Sequence, residues 1–547
     1  MNFKPVPRPR RTVLVKNNGK QYVYLTQGVR YSPELKRSCP QRIAIGKMNE
    51  EGLMIPNQNY FDVFGQEVEL ELPGSRADFV SFGLHLVIQK IAEKLNLSAL
   101  LESIFPEESA KILDIAAYML VSENNVMQYF HDYGYHHSLF NGENFTDNTI
   151  GKLFKGLSTK NIDLFIQAWV NQSAGKKIYI AYDSSNMNTR AGTLDLAEFG
   201  HAKDDPDLPQ VNLAIGYNQT EQTPLFYELY PGSMIDNVEC GKMVERAKRY
   251  GCKNVGFILD RGYFSIKNIR YFEENDYDYI LMTKGNAKFI QEIIAEYGAV
   301  LKNGYSCYLK AYPIYGMTIE KSLFETGKKQ YIHLYYDGIR AENEKIVINK
   351  RYQRMDEELE KRKTQKIQRK EAVAAYAKYY RLVFDENGYF MQYQRKEQVL
   401  KEMIEKAGYF SIITTKKMEA EEALETYRDR DAVEKVFRME KTHLGNDVFR
   451  VHSDDHLESK VFVSFIALIL RNEIYKALKP LYQKNRKEYT VPKVIREYEK
   501  LGLTKLSDHQ YHLRYKLTSQ QKKILKAIKI TEQDYMEFAK DIQSKLG

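Results

Sequence analysis

The sequence predicts a mixed α/β protein, and three observations carry that prediction. Between residues 176 and 285, short apolar or alternating runs of strand character are interleaved with amphipathic helical segments. Two of the strand-like runs, KKIYIAYD and NVGFILD, end on aspartates, Asp183 and Asp260. Far downstream, YRDRDAVEKVFRMEK places an acid, Glu434, among cations at helical spacing.

Size and composition bound the reading. At 547 residues the chain is too long for one ordinary core and predicts several domains. Hydrophobic residues at 43% and aromatic residues at 12% exclude a disordered chain. Lys and Arg number 81 against 72 Asp and Glu, a net charge of +9, which permits a polyanionic partner without requiring one. The four cysteines, Cys39, Cys240, Cys252 and Cys307, contain no CxxC pair, which argues against a zinc knuckle or a disulfide framework and favours a reducing cytosol. MNFKPVPRPRR lacks the apolar core of a signal peptide, and the longest apolar run, 461–470, is too short to span a bilayer. A soluble, cytoplasmic chain is expected.

Taken in order, residues 1–75 read as a β-rich region. TVLVKN and QYVYLTQ flank Asn18-Gly19, a hairpin signal, and RIAIGKM and GLMIPN form a second pair. Arg8, Arg10 and Arg11 ahead of them either lie along DNA or form a soluble tail. Residues 76–175 turn helical in FGLHLVIQKIAEKL, SAKILDIAAYMLV and STKNIDLFIQAWVNQ. Thr146 or Asp147 would cap a further helix over NTIGKLFKGL, with Lys152 and Lys155 outward. A DNA-binding domain and ligand-free helix packing account for this region equally.

Residues 176–285 give three strands (KKIYIAYD, VNLAIGY, PLFYELY), a helix (NVECGKMVERAKRYG), a strand (NVGFILD), a helix (IKNIRYFEEN) and a strand (YDYILMT). That is the order of the first part of an RNase H-like core, in which the first and fourth strands are neighbours. Asp183 and Asp260 are therefore expected side by side at one edge. Residues 286–408 form an insertion domain, with strand-like SCYLKAYPIYG and YIHLYYDG and a charged helix from Asp356 to about Arg381. Its run KRKTQKIQRK suits either a clamp on a nucleic-acid backbone or a solvated helix face. The second part of the core, 409–484, resumes with FSIITT, then the helix that carries Glu434, a stop at Gly445, and a buried helix in VHSDDHLESKVFVSFIALILRNEIYKAL. Residues 485–547 are Lys-rich and helical, QQKKILKAIK being the most basic piece.

Tyr427, Arg430, Glu434 and Lys441 stand at offsets of 0, 3, 7 and 14, so on one helix they fall within about 60° of one another. Ala432, Val433, Val436 and Met439 lie on the opposite arc, where a core would be. Taken alone, this is a solvated amphipathic helix with Glu/Lys pairs. Joined to Asp183 and Asp260, Glu434 would complete a set of hard oxygen donors suited to Mg²⁺ or Mn²⁺ rather than zinc. Two such ions about 3.5–4 Å apart support in-line displacement at a phosphodiester, and three clustered carboxylates would be costly without them. Asp195, Glu198, Asp236 and Asp278 are assigned to ordinary strand-end or surface positions, and Ser184 and Ser185 to a turn. Nucleotide-hydrolysing, zinc-protease and esterase motifs (GxxxxGK[ST], HExxH, GxSxG) do not occur.

DSSN at Asp183, LDRGYFS at Asp260 and Tyr-(2)-Arg-(3)-Glu-(6)-Lys around Glu434 together resemble bacterial insertion-sequence DDE transposases of the group defined by that Tyr-Arg-Glu-Lys signature. GHAKDDPDLPQVNLAIGYN resembles the segment that follows the first acid in a long-chain subgroup, and a β-rich insertion before the third acid is a group trait. The resemblance covers about 80–480. It implies a mobile-element enzyme that binds terminal inverted repeats of double-stranded DNA as a homodimer, cleaves the ends and joins the 3′-hydroxyl to target DNA, acting at the nucleoid. It also implies that Asp183, Asp260 and Glu434 hold two Mg²⁺ or Mn²⁺ ions while Tyr427, Arg430 and Lys441 contact phosphates near the cleaved end. Arg438 shares their helix face and is a further DNA contact, although the signature omits it. Arg261, beside the second acid, is either a phosphate contact or an ion-pair partner. A domesticated or purely hydrolytic nuclease would keep the same acids, and an inactive DNA-binding derivative would keep the fold.

Overall fold

A computed structural model describes residues 5–17, 19–32, 36–49, 51–65, 79–124, 126–172, 178–200, 205–234, 236–252, 255–324, 328–364, 373–445, 448–506 and 510–546. Asn18, the stretch 201–204 and residues 365–370 of the basic run lie outside them.

The fold is mixed α/β around one large sheet. Its strands are β1 (Ile178–Thr189), β2 (Gln210–Asn218), β3 (Thr223–Pro231), β4 (Val255–Leu259), β5 (Asp278–Met282), β6 (Tyr315–Lys321), β7 (Gln330–Tyr336) and β8 (Tyr409–Thr414). The order across the sheet is β6-β7-β8-β5-β4-β1-β2-β3, and a ninth, two-residue strand, Val448–Phe449, pairs with β1. Strands β1, β2 and β3 form an antiparallel meander, whereas β4 runs parallel to β1 and β5 parallel to β4. This is the RNase H-like arrangement that the sequence order predicts. The parallel crossovers are made by α1 (Asp236–Arg249) between β3 and β4 and by α2 (Ile266–Glu274) between β4 and β5.

Beyond β5 the sheet continues with β8, β7 and β6, all antiparallel. Between β5 and β6 lies α3 (Lys288–Asn303), and between β7 and β8 lie α4 (Gly338–Thr364) and α5 (Glu397–Glu405). The segment 286–408 thus adds two strands to the core sheet and projects a second, smaller apolar cluster. That cluster is built on Tyr352, Met355 and Leu359 of α4 with Tyr380 and Phe390 of a two-stranded hairpin. Two expectations for this segment are corrected. The charged helix starts at Gly338 rather than Asp356, and by Tyr380 the chain is already a strand. SCYLKAYPIYG is mostly a 3-10 turn and loop, with strand pairing resuming only at Tyr315, because Pro313 has no N–H for a ladder.

Two further elements carry the helix that concerns the site, α6 (Ala420–Arg428) and α7 (Asp431–Arg438). After them α8 (Asp454–Lys484) runs buried, its stretch Val461, Phe462, Val463, Phe465, Ile466, Leu468, Ile469 and Leu470 almost fully shielded. It is apolar all round because it is covered all round, by β3 and by the helices Ser109–Ser122 and Asp147–Gly156. Each such side chain contributes about 1.5–3 kcal/mol relative to an exposed one. The chain's single tryptophan, Trp169, is buried on the helix Thr159–Asn171 and donates its indole N–H to the Pro224 carbonyl of β3 at 2.9 Å. This ties the preceding helices to the core sheet.

The four N-terminal strands form their own antiparallel sheet over a small core of Val23, Ile45, Met54, Tyr60 and Phe61. Thr146 occupies the cap position of the helix Asp147–Gly156, but its side chain makes no capping hydrogen bond. Among the described residues no helix is long and apolar enough to cross a membrane.

Candidate active site

The parallel pairing of β1 with β4 runs from Ile178 opposite Val255 to Tyr182 opposite Leu259. The next residues are Asp183 and Asp260, so strand register alone brings the two aspartates to one edge. The strand β1 does not end there as the sequence suggested. It continues to Thr189 because β2 still offers partners, Ile215 opposite Asp183 and Gln210 opposite Asn188. Ser184 and Ser185 are accordingly strand residues, not a turn. The strand β4 does end, and Asp260 caps a 3-10 turn over Arg261–Tyr263, its Oδ1 accepting the Arg261 backbone N–H at 2.7 Å.

The Tyr427–Lys441 segment is not one helix. The helix α6 stops at Arg428, Asp429 and Arg430 make a turn, α7 starts at Asp431, and a π-helical turn spans Met439–His443. A π-turn shifts the side-chain phase within a helix and is common at functional sites. Gly445, in the left-handed region at φ 67°, ends the run. Of the arc predicted to face the core, Val436 is buried and Met439 half-buried. The side chains of Ala432 and Val433 lie outside the described residues.

The break lets two consecutive signature residues reach two different acids. Tyr427, buried on α6, donates its hydroxyl to Asp260 Oδ1 at 3.1 Å and touches Met282 Sδ, at the end of β5, at 3.6 Å. Arg430, 7% exposed, places Nη1 3.6 Å from Asp183 Oδ2 and Nη2 2.9 Å from Glu434 Oε1. Its guanidinium carbon lies 5.5 Å from the Tyr427 ring centroid, in cation–π range. Asp183, Asp260, Tyr427, Arg430 and Glu434 thus form one contiguous polar group across β1, β4, α6 and α7. Burial raises the Tyr427 pKa well above the ordinary phenol value, with Asp260 and Asp183 adding to the rise and Arg430 opposing it. Burial alone would lower the Arg430 pKa, but Tyr427, Asp183, Asp260 and Glu434 together outweigh it and raise it.

The remaining sequence candidates differ in exposure. Arg261 is exposed beside Asp260, Arg438 is exposed at the end of α7, and Lys441 is half-buried within the π-turn. Of the acids assigned to ordinary positions, Asp278 pairs with Lys416 at 3.0 Å and accepts from Thr415 at 3.1 Å. Glu198 accepts from Ser233, and the side chain of Asp236 lies outside the described residues. Sequence reasoning missed Gln219, whose side-chain N–H donates to the Thr426 carbonyl at 2.8 Å and pins the last turn of α6 to the end of β2. The two residues are 207 positions apart, and no local pattern marks such a pair.

The candidate ligands Asp183, Asp260 and Glu434 are all carboxylates, a donor type that suits a hard divalent cation. Among the described residues, no three acidic, histidine or cysteine side chains converge as a metal-ligand group. The guanidinium of Arg430 stands between Asp183 and Glu434. The residues fit a divalent cation in kind, and Arg430 is the group that would have to yield.

The sheet order, with Asp183 and Asp260 one residue beyond the last paired residues of two neighbouring parallel strands and Glu434 joined to Asp183 through Arg430, is that of an RNase H-like mixed α/β fold. The transposase DDE domain family matches residues 175–470, and the chain belongs to that family. Family membership supports a transposase function, and enzymes of this family generally use divalent metal ions. The chain is also similar, at 9% identity and a TM-score of 0.37, to a piggyBac transposase in a synaptic complex with hairpin DNA solved by cryo-EM. That match covers 84% of this chain and 85% of the other. No curated protein sequence matches it.

Proposed function

We propose that this protein is an insertion-sequence transposase of the Tyr-Arg-Glu-Lys signature group, cutting DNA at terminal inverted repeats and joining the freed 3′ ends to target DNA. One observation supports the reading: Asp183 and Asp260 follow directly on the paired residues Tyr182 and Leu259 of neighbouring parallel strands, and Arg430 reaches both Asp183 and Glu434, although the acids are 77 and 174 positions apart in sequence. Asp183, Asp260 and Glu434 are the metal ligands, and Mg²⁺ or Mn²⁺ bound as a pair would supply activation of a water or 3′-hydroxyl and stabilisation of the leaving oxygen. Tyr427, Arg430 and Lys441 grip phosphates at the cleaved end, with Arg438 and Arg261 extending the basic surface. The chain acts as a homodimer on DNA, in a bacterial cytoplasm at the nucleoid. Its parts follow the boundaries 1–75, 76–175, 176–285, 286–408, 409–484 and 485–547, the second being a helical region that either binds DNA or serves helix packing alone.

The alternative is a purely hydrolytic or domesticated nuclease of the same fold. The two are separated by incubating purified protein and Mn²⁺ with linear DNA carrying the flanking inverted repeats together with a supercoiled target plasmid. Joined products identify a transposase, whereas nicks without joining identify a nuclease.

A further inference from the structure

Arg430 is placed unusually for a residue that only grips DNA. Its guanidinium is buried, and its positive charge is permanent. It needs counter-charge, which it takes from Asp183 and Glu434, while among the described residues Nη1 has no hydrogen-bond partner. The carboxylate oxygens it draws on are those a divalent cation would need, so the two cations compete. The three anchor points differ in freedom. Asp183 is fixed in β1, where the Ser184 backbone N–H donates to its Oδ1 at 3.0 Å, and Asp260 is fixed by Arg261 and Tyr427. Glu434 has a 53% exposed side chain, one helical turn from Arg430. The acid that must move to complete a ligand set is the one Arg430 holds most closely.

We propose that Arg430 is a positioning residue that occupies the cation's place before DNA arrives, holding Glu434 off the aspartates until a DNA phosphate draws its guanidinium away. A phosphate offers the planar fork of Arg two acceptors in place of two carboxylates, and would satisfy Nη1. Metal uptake then depends on DNA, and by linkage the metal strengthens DNA binding by the same factor. The inference rests on the reading of Asp183, Asp260 and Glu434 as metal ligands.

The test is Mn²⁺ binding to the full-length chain, read from the electron paramagnetic resonance of free Mn²⁺, with and without a short duplex oligonucleotide. Wild type, R430Q, R430K and D183N are compared, and the fluorescence of Trp169 monitors folding. Without DNA, R430Q binds Mn²⁺ at least about tenfold more tightly than wild type, because a competing positive charge has left the site. R430K, which keeps a charge but cannot bridge two carboxylates, shows a smaller tightening and serves where R430Q is too unstable. The duplex tightens Mn²⁺ binding by wild type towards the R430Q value and leaves R430Q nearly unchanged, with D183N reporting the ions held by the DNA itself. Equal affinities for wild type and R430Q, with binding lost in D183N, overturn the role of Arg430 and leave the ligand assignment standing. Unchanged Mn²⁺ binding in D183N overturns the ligand assignment and this inference with it.

Discussion

The site's electrostatics make a prediction that runs against simple distance. Arg430 is closer to Glu434, at 2.9 Å, than to Asp183, at 3.6 Å, but the Glu434 side chain is 53% exposed and that of Asp183 22%. At an effective dielectric of about 20, suited to a partly buried pair, the Asp183 interaction is worth about 4–5 kcal/mol before desolvation. The Glu434 pair, close to the dielectric of water, is worth about 1.4 kcal/mol by the same formula. After desolvation and side-chain ordering, a coupling of about 1.5–3 kcal/mol is expected for Arg430–Asp183 and about 0.2–1 kcal/mol for Arg430–Glu434. Two double-mutant cycles measure these values, one with Arg430→Gln and Asp183→Asn, the other with Arg430→Gln and Glu434→Gln. Metal-free protein is unfolded in urea, and the single Trp169, held against β3, reports the transition of the core. A Glu434 coupling equal to or larger than that of Asp183 would refute the argument, since burial would then not be what gives Arg430 its hold on the sheet edge.

Two further outcomes are expected. Lys460, 1% exposed on α8, has its pKa lowered by burial, and further by Arg450, from 10.5 to about 7. The folded state therefore binds fewer protons than the unfolded chain between about pH 7 and 10.5, so this group makes stability rise with pH across that window. Lys460→Met should raise the melting temperature most below pH 7, where the penalty removed is on the order of a few kcal/mol, and the gain should shrink towards pH 10; a gain independent of pH would show that the ammonium is not what costs stability. Lys441→Ala should weaken DNA binding and reduce the slope of log K against log salt by about 0.9, the loss of one phosphate contact. An unchanged slope would remove Lys441 from the DNA surface.

The core strands were legible in the sequence because each is a short, apolar or alternating run bounded by breakers. VNLAIGY and PLFYELY are the plainest cases, and the order of strands and helices then left few ways to arrange them. What the sequence did not carry was anything decided by non-local partners. The continuation of β1 through Asp183 to Thr189 depends on β2 lying alongside, and the addition of β6, β7 and β8 to the same sheet depends on their antiparallel pairing beyond β5. The break between Tyr427 and Asp431 was equally hidden. The apolar period runs straight through YRDRDAVEKVF, so pattern alone gives one helix, whereas the turn at Asp429 and Arg430 lets Tyr427 reach Asp260 while Arg430 reaches Asp183. Spacing predicted a shared face for the signature residues; it gave no sign that a buried guanidinium would stand between the first and third acids.

The most direct test of the central claim, that Asp183, Asp260 and Glu434 form one metal-dependent DNA-cutting site, is cleavage of DNA carrying the flanking inverted repeats, with Mn²⁺ or Mg²⁺ present and DNA binding measured in parallel. Glu434→Gln and Asp183→Asn are each expected to abolish cleavage while leaving DNA binding intact. Full cleavage by the Glu434→Gln protein would contradict the assignment.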